Sequence, residues 1–312
     1  MGHDVEAGRF EGIELTEVAH GLAFPEGPMA MDDGSVLLVE IARGTLTRVH
    51  PDGRVDVVAE CGGGPNGAAI GPDGAVYVCN NGAYFDYQDH DGLVVPHAGS
   101  AGWTRGSIQR VDPATGAVDV LYTECDGRPL LAPNDIVFDD DGGFWFTDHG
   151  VHAEGGEGEP SVLYGRADGT DVSGAIWGLD ATNGVGLSPD GATLYVAETY
   201  RGRLLSWELT GAGAVDAPDD PTVLHDVGGS AMFDSLAVDG DGSVCVATLI
   251  TGGVSVVAPD GGVEFLPTGD PLTTNVCFGG DDLRTAFITV SGTGRLLRCN
   301  WPAPGLALAH RR

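Results

Sequence analysis

Ala132-Pro133-Asn134-Asp135-Ile136-Val137-Phe138-Asp139-Asp140-Asp141-Gly142-Gly143-Phe144-Trp145-Phe146-Thr147-Asp148 reads as two short apolar runs joined by an aspartate-rich turn. The pattern recurs as FPEGPMAMDDGSVLLVE (24–40), GPNGAAIGPDGAVYVCN (64–80), ATNGVGLSPDGATLYVAE (181–198), MFDSLAVDGDGSVCVAT (232–248) and TTNVCFGGDDLRTAFIT (273–289). Each copy opens on a polar residue: Glu26, Asn66, Asn134, Asn183, Asp234, Asn275. Seven residues on, each has an aspartate: Asp33, Asp73, Asp141, Asp190, Asp241, Asp282. Glycine follows that aspartate five times, and Leu283 takes its place in the sixth. Asp-Gly between two apolar runs is a hairpin signal, because glycine adopts positive φ without steric cost.

Further strands follow each hairpin, such as residues 47–49, 108–111, 118–122 and 263–266. The repeating unit is therefore a four-stranded antiparallel blade. Units of roughly 40–50 residues that cannot bury both faces alone stack radially as a propeller. Too few strands remain after the sixth copy to finish a blade, and residues 13–20 are free to supply its outer strand. The expectation is an all-β fold: a single six-bladed β-propeller spanning residues 1–312. Its blades begin near 24, 64, 132, 181, 232 and 273, and an N-terminal strand closes the last blade.

Composition narrows the function. The 15 basic residues are all arginine against 46 Asp and Glu, a formal charge of −31. Without lysine there is no Walker phosphate loop, Schiff-base aldolase or pyridoxal enzyme. Without a basic stripe, nucleic acid and anionic membranes are not expected partners. No stretch has the length of a membrane span, and residues 1–10 lack a signal-peptide apolar core, so a cytoplasmic location is expected. The six cysteines form no CxxC pair, which fits reduced thiols, with Cys79 and Cys245 as small core residues. Neither a GxSxG elbow nor an HExxH helix is present. Asp139-Asp140-Asp141-Gly142 and Asp239-Gly240-Asp241-Gly242 coincide with the repeated turn and lack the distal glutamate of an EF-hand loop.

In a propeller the first strand of each blade lines the central channel, so the six opening residues gather at one mouth. Glu26, Asn134, Asn183 and Asp234 bring two carboxylates and two amide oxygens there. Clustered buried carboxylates repel unless a cation compensates them. Hard oxygen donors favour Ca²⁺, with Mg²⁺, Mn²⁺ or Zn²⁺ as alternatives. Asn66 and Asn275 fit the simpler role of turn residues. The second strands return to the same face at Glu40, Asn80, Asp148, Glu198 and Thr248. The longest step between copies places residues 81–106 over the mouth, with Tyr84, Phe85, Trp103 and Arg105 facing it. Arg128, Arg105, Asn80, Asn134 and His149 are the candidate substrate contacts. His149 and His152 read as loop histidines more often exposed than ligating.

The segments around Phe24-Pro25-Glu26-Gly27-Pro28, Ala132-Pro133-Asn134-Asp135-Ile136, Phe144-Trp145-Phe146-Thr147-Asp148, Thr182-Asn183-Gly184-Val185-Gly186 and Asp234-Ser235-Leu236-Ala237 resemble the senescence marker protein/gluconolactonase family, which includes luciferin-regenerating-enzyme-like members. So does the closing Thr274-Asn275-Val276-Cys277-Phe278-Gly279-Gly280, and the resemblance runs from Phe24 to about Thr289. It implies a six-bladed propeller with one divalent metal, many members being sugar lactonases. It implies Glu26, Asn183 and Asp234 as metal ligands, with Asn134 binding metal or substrate. Ser235 stands where many members have glycine, His149-Gly150 replaces a commoner proline and tyrosine-glycine pattern, and the substrate-side lysine of some members is missing. These departures bear on the substrate more than on the metal.

The expected function is opening of a small hydroxylated lactone, the metal polarising the carbonyl and a carboxylate accepting the proton of water. Asp234 is the first candidate for that base and Asp148 the reserve. Two other readings stand beside it: a phosphotriesterase or fluorophosphatase-like hydrolase, and a non-catalytic calcium-binding or interaction propeller. A monomer or small homo-oligomer is expected.

Overall fold

The computed structural model describes residues 8–151 and 158–310. Among these residues there is no helix; six antiparallel sheets ring one axis, and two small two-stranded hairpins lie outside them. The innermost strands are Pro25–Ala30, Pro65–Ile70, Pro133–Phe138, Thr182–Leu187, Met232–Val238 and Thr273–Gly279. Each pairs with a second strand across an aspartate-containing turn, and a third and fourth strand follow outward. Blade 4 departs slightly: its third strand, Arg203–Gly211, pairs both with Thr222–Asp226 and, at its tip, with Ala214–Val215.

The ring closes as the sequence implies. Thr16–His20 pairs antiparallel with Arg295–Asn300 and so becomes the outer strand of blade 6. Residues 13–15 precede that strand instead of extending it, and Ile13 and Leu15 pack on the blade 6 core. Residues 1–7 and His152 lie outside the described residues.

The second strands explain why the pattern is so apolar there. Val36–Glu40, Val76–Asn80 and Gly143–Asp148 are buried along their whole length, because neighbouring blades cover both faces. Between blades 2 and 3 the filling is Tyr77, Ile108, Phe138, Phe144 and Phe146; between blades 3 and 4 it is Trp145, Tyr164, Leu194 and Trp207. All six cysteines are free, and Cys79 and Cys245 are fully buried in second strands.

The turns behave as their chemistry requires. Gly34, Gly74, Gly142, Gly191 and Gly242 all take positive φ. Leu283, in the glycine slot of the sixth turn, is forced to φ 58°, a region an L side chain enters only at a cost.

Candidate functional site

Every innermost strand carries a register irregularity at its opening residues, where it pairs with the second strand. A bulge there bends the strand and re-aims a side chain that the pleat would send into the blade. These irregularities, aligned in blades 2 to 5 and offset by a residue or so in blades 1 and 6, lie where Glu26, Asn66, Asn134, Asn183, Asp234 and Asn275 gather at the axis. Glycine follows three of these residues, and it must. A Cβ on Gly67 would lie 2.5 Å from the Asn134 carbonyl oxygen, and one on Gly184 would lie 2.8 Å from that of Asp234. The inner strands approach backbone to backbone, which is what concentrates the donors.

Glu26 is buried, with Oε2 accepting from the Asn275 side-chain amide at 2.7 Å and from the Gly27 N–H. Its Oε1 is buried with no partner, and so is Oδ1 of Asn134. Asn183 donates its amide to Thr199 Oγ1 at 3.1 Å, leaving Oδ1 with only a 3.4 Å contact from Ser235 Oγ. Asp234 is partly buried beside Asn183. Burial pushes the Asp234 carboxyl up to about 7, against the Asn183 amide that holds it down, and the Asp135 charge adds to the rise. Burial also raises Glu26 well above the usual carboxylate range, and the nearby Asp234 charge adds to it. Two acceptor-only oxygens with nothing donating to them, in a pocket where charge is costly, fit a hard cation. Glu26, Asn134, Asn183 and Asp234 could hold one. Among the described residues no group of three or more His, Cys, Asp and Glu is arranged to hold a metal, so carboxamide oxygens would have to help complete a ligand set here.

Asp135, next to Asn134, is a third buried carboxyl on the axis. Its oxygens accept from the backbone N–H groups of Ile136 at 2.9 Å and Val185 at 3.3 Å, tying blade 3 to blade 4. Burial pushes it up to about 7, opposed by those amides.

The second-strand ends do something else. Glu40 accepts from the N–H of Ala23 at 2.7 Å and from Thr47 and Arg43. Glu198 accepts from Asp180 N–H and from Arg203. Asn80 takes the N–H groups of Gly64 and Gly82 and donates to Gly62 and Gln109. Asp148 accepts three backbone N–H groups: Leu131 at 2.7 Å, Ala132 at 2.8 Å and Gly150 at 3.0 Å. These four residues clasp the chain entering their own blade. The structure thus occupies Asp148 with three backbone amides and Asn80 with three backbone groups and Gln109, and does not bring either into the donor ring.

Above the ring, residues 81–106 fold as a hairpin, Phe85–His90 with Leu93–Ala98. It reaches from blade 2 to blade 6, where Val94 N–H donates to the Gly292 carbonyl at 2.8 Å. His149 is buried under its base, not exposed, with its ring against Tyr84, Phe85 and Tyr200. Trp103 packs there too and donates to the Leu131 carbonyl. Arg105 is exposed beside Trp103, and Arg128 is exposed with its guanidinium 4.7 Å over the Trp177 ring. Neither arginine reaches the axis as a buried charge. Tyr87, Asp135 and the Asn275–Glu26 bond are the features of the mouth that sequence reasoning missed.

Below the donors the channel widens into a cavity of about 580 Å³ with walls such as Met29, Ile70, Val137, Leu187 and Val238. Residues 306–310 cross its far end. Apolar side chains make up most of its walls, with Asp135 and Asn275 also lining it and Asp139, Asp140, Asp141 and Asp190 contributed by the turns.

A propeller of this kind with an oxygen-lined axial site defines a class, and residues 24–292 match the SMP-30/Gluconolactonase/LRE-like region. The chain belongs to that family. A gluconolactonase of Zymomonas mobilis is 26% identical over 303 residues, covering 88% of this chain and 78% of that protein. The solved structure of XC5397, a gluconolactonase of Xanthomonas campestris, superposes with a TM-score of 0.76 at 24% identity, over 96% of this chain and 93% of that one. Regucalcin of Agrobacterium tumefaciens, described as a calcium-binding protein, superposes with a TM-score of 0.70 at 19% identity over 93% of each chain.

Proposed function

We propose that the protein is a divalent-metal-dependent lactonase that opens a neutral, hydroxylated lactone of the sugar-lactone class. The observation that carries this reading is the pair of unpartnered buried acceptors, Glu26 Oε1 and Asn134 Oδ1, beside Asn183 and Asp234. Its family, and a relative named gluconolactonase, support lactone hydrolysis. Ca²⁺ suits the mixed carboxylate and carboxamide oxygens best, and the calcium-binding description of regucalcin agrees with that choice.

When bound, the cation supplies Lewis-acid polarisation of the lactone carbonyl. The chain supplies the rest. Asn134 presents an oxygen to the site and an amide that can hold a substrate oxygen. Asp234, beside the attacking water, takes its proton, and that proton then passes to the ring oxygen as it leaves as an alcohol. The product is the open hydroxy acid. Asp148 is committed to its three amides and plays no part in proton transfer. Arg105 and Arg128 are both exposed, so neither offers a buried positive charge to an anionic substrate.

The test is pH-stat hydrolysis of a panel of sugar lactones by chelator-stripped protein with Ca²⁺, Mg²⁺, Mn²⁺ or Zn²⁺ restored. Turnover returned by one ion and abolished in Glu26→Ala supports the reading. Tight cation binding with no turnover of any lactone would overturn it in favour of a calcium-binding propeller.

A further inference from the structure

The hairpin over the mouth carries a group that the donor ring does not explain. Tyr87, on Phe85–His90, sets its ring 4.8 Å from that of Phe24, two residues before Glu26. Its hydroxyl is buried and has no hydrogen-bond partner. The charges it faces are Glu26 and Asp234, both in the proposed cation set. Its neighbour Tyr84 instead packs with Leu131, Ala132 and Val151. A buried phenol without a partner is destabilising, so the position is explained by a ligand that supplies the missing acceptor. A cation held by Glu26 and Asp234 would leave the phenol proton without an acceptor even if the oxygen turned to it, so the O–H still calls for an oxygen to donate to. A lactone seated between cation and hairpin offers carbonyl, ring and hydroxyl oxygens.

We propose that Tyr87 is a substrate-contacting residue whose O–H donates to an oxygen of the lactone. Its backbone is held from both sides, by the blade 2 strand that leads into the hairpin and by the Val94–Gly292 hydrogen bond beyond it. The donor is therefore placed before substrate arrives, which is what makes such a contact effective. This inference rests on the lactonase reading.

Tyr87→Phe tests it, since the ring stays against Phe24 and only the O–H is lost. The measurements are kcat and KM on the lactone that wild-type protein opens fastest, Ca²⁺ affinity by calorimetry, and Tm. The expected result is a fall in kcat/KM of roughly 10- to 100-fold at saturating Ca²⁺, with Ca²⁺ affinity and Tm unchanged or slightly raised. Active wild-type protein with a variant within about twofold in kcat/KM would overturn the substrate contact and leave the lactonase reading standing. An activity loss that saturating Ca²⁺ restores would overturn it too, by making Tyr87 a support of the cation site. Wild-type protein that binds Ca²⁺ yet opens no lactone would overturn both together.

Discussion

Three carboxylic acids, Glu26, Asp135 and Asp234, sit where ionisation is costly, and burial is the first cause for each. A carboxyl whose folded pKa is raised stabilises the fold most below its unfolded value and loses that contribution as pH climbs through the folded value. For Asp135, moved from 3.8 to about 7, the loss is on the order of 4 kcal/mol across that interval. The turn carboxylates Asp33, Asp73 and Asp190 are shifted downward and act only at lower pH. Chelator-treated protein should therefore lose Tm between about pH 5 and pH 8, and Ca²⁺ should raise Tm far more at pH 8 than at pH 5. A Tm flat across that range would remove the repelling trio from the account. Asp234→Asn should cost about a thousandfold or more in lactone turnover while raising the Tm of cation-free protein at pH 8, measured by calorimetry. The donors at this scale are legible in the sequence because the repeat puts Glu26, Asn134, Asn183 and Asp234 in one slot. Asp135 hides because glycine fills the same position in three other blades, so the comparison between copies flags nothing. Asp148 looks like a spare base in the sequence, and only the backbone amides of Leu131, Ala132 and Gly150 show what it holds.

Bulge, clasp and hairpin are the elements that make the site. The inner strands of blades 4 and 5 touch at Gly184, where a Cβ would meet Leu236 N at 2.7 Å. Backbone cannot yield as a flexible side chain does, so Gly184→Ala should part Asn183 from Asp234. We expect it to weaken Ca²⁺ binding by tenfold or more in calorimetry, and unchanged affinity would show that the close approach is incidental. The clasp is a matter of stability. Glu40 is fully buried and answers Ala23, Thr47 and Arg43, so Glu40→Ala strands those donors and should cost about 2–4 kcal/mol in denaturant unfolding. Strand pairing and turns were readable from alternation and Asp-Gly spacing. The insertion was readable as an overhang but not as a hairpin, and Tyr87 within it was invisible, because residues 81–106 have no counterpart in other blades against which to weigh an aromatic.

Across the whole molecule, a net charge of −31 on 312 residues opposes compaction, and salt screens that repulsion. Raising NaCl from about 10 mM to about 500 mM should lift Tm by several degrees at pH 7.5 even with chelator present. The ring was legible because six copies with the same internal spacing, each followed by further strands, admit few architectures. Its closure, with Thr16–His20 against Arg295–Asn300, sets an order of events. The partners lie at opposite reaches of the chain, so the N-terminal segment stays unpaired there until the C-terminal strand is available. A waiting strand is an aggregation hazard when it is apolar. This one is largely polar on its exposed side, with Thr16, Glu17 and His20 to solvent and mainly Ala19 fully buried. The segment that closes the ring thus presents mostly polar side chains while it is unpaired, so an open ring shows a neighbour little apolar surface at this edge.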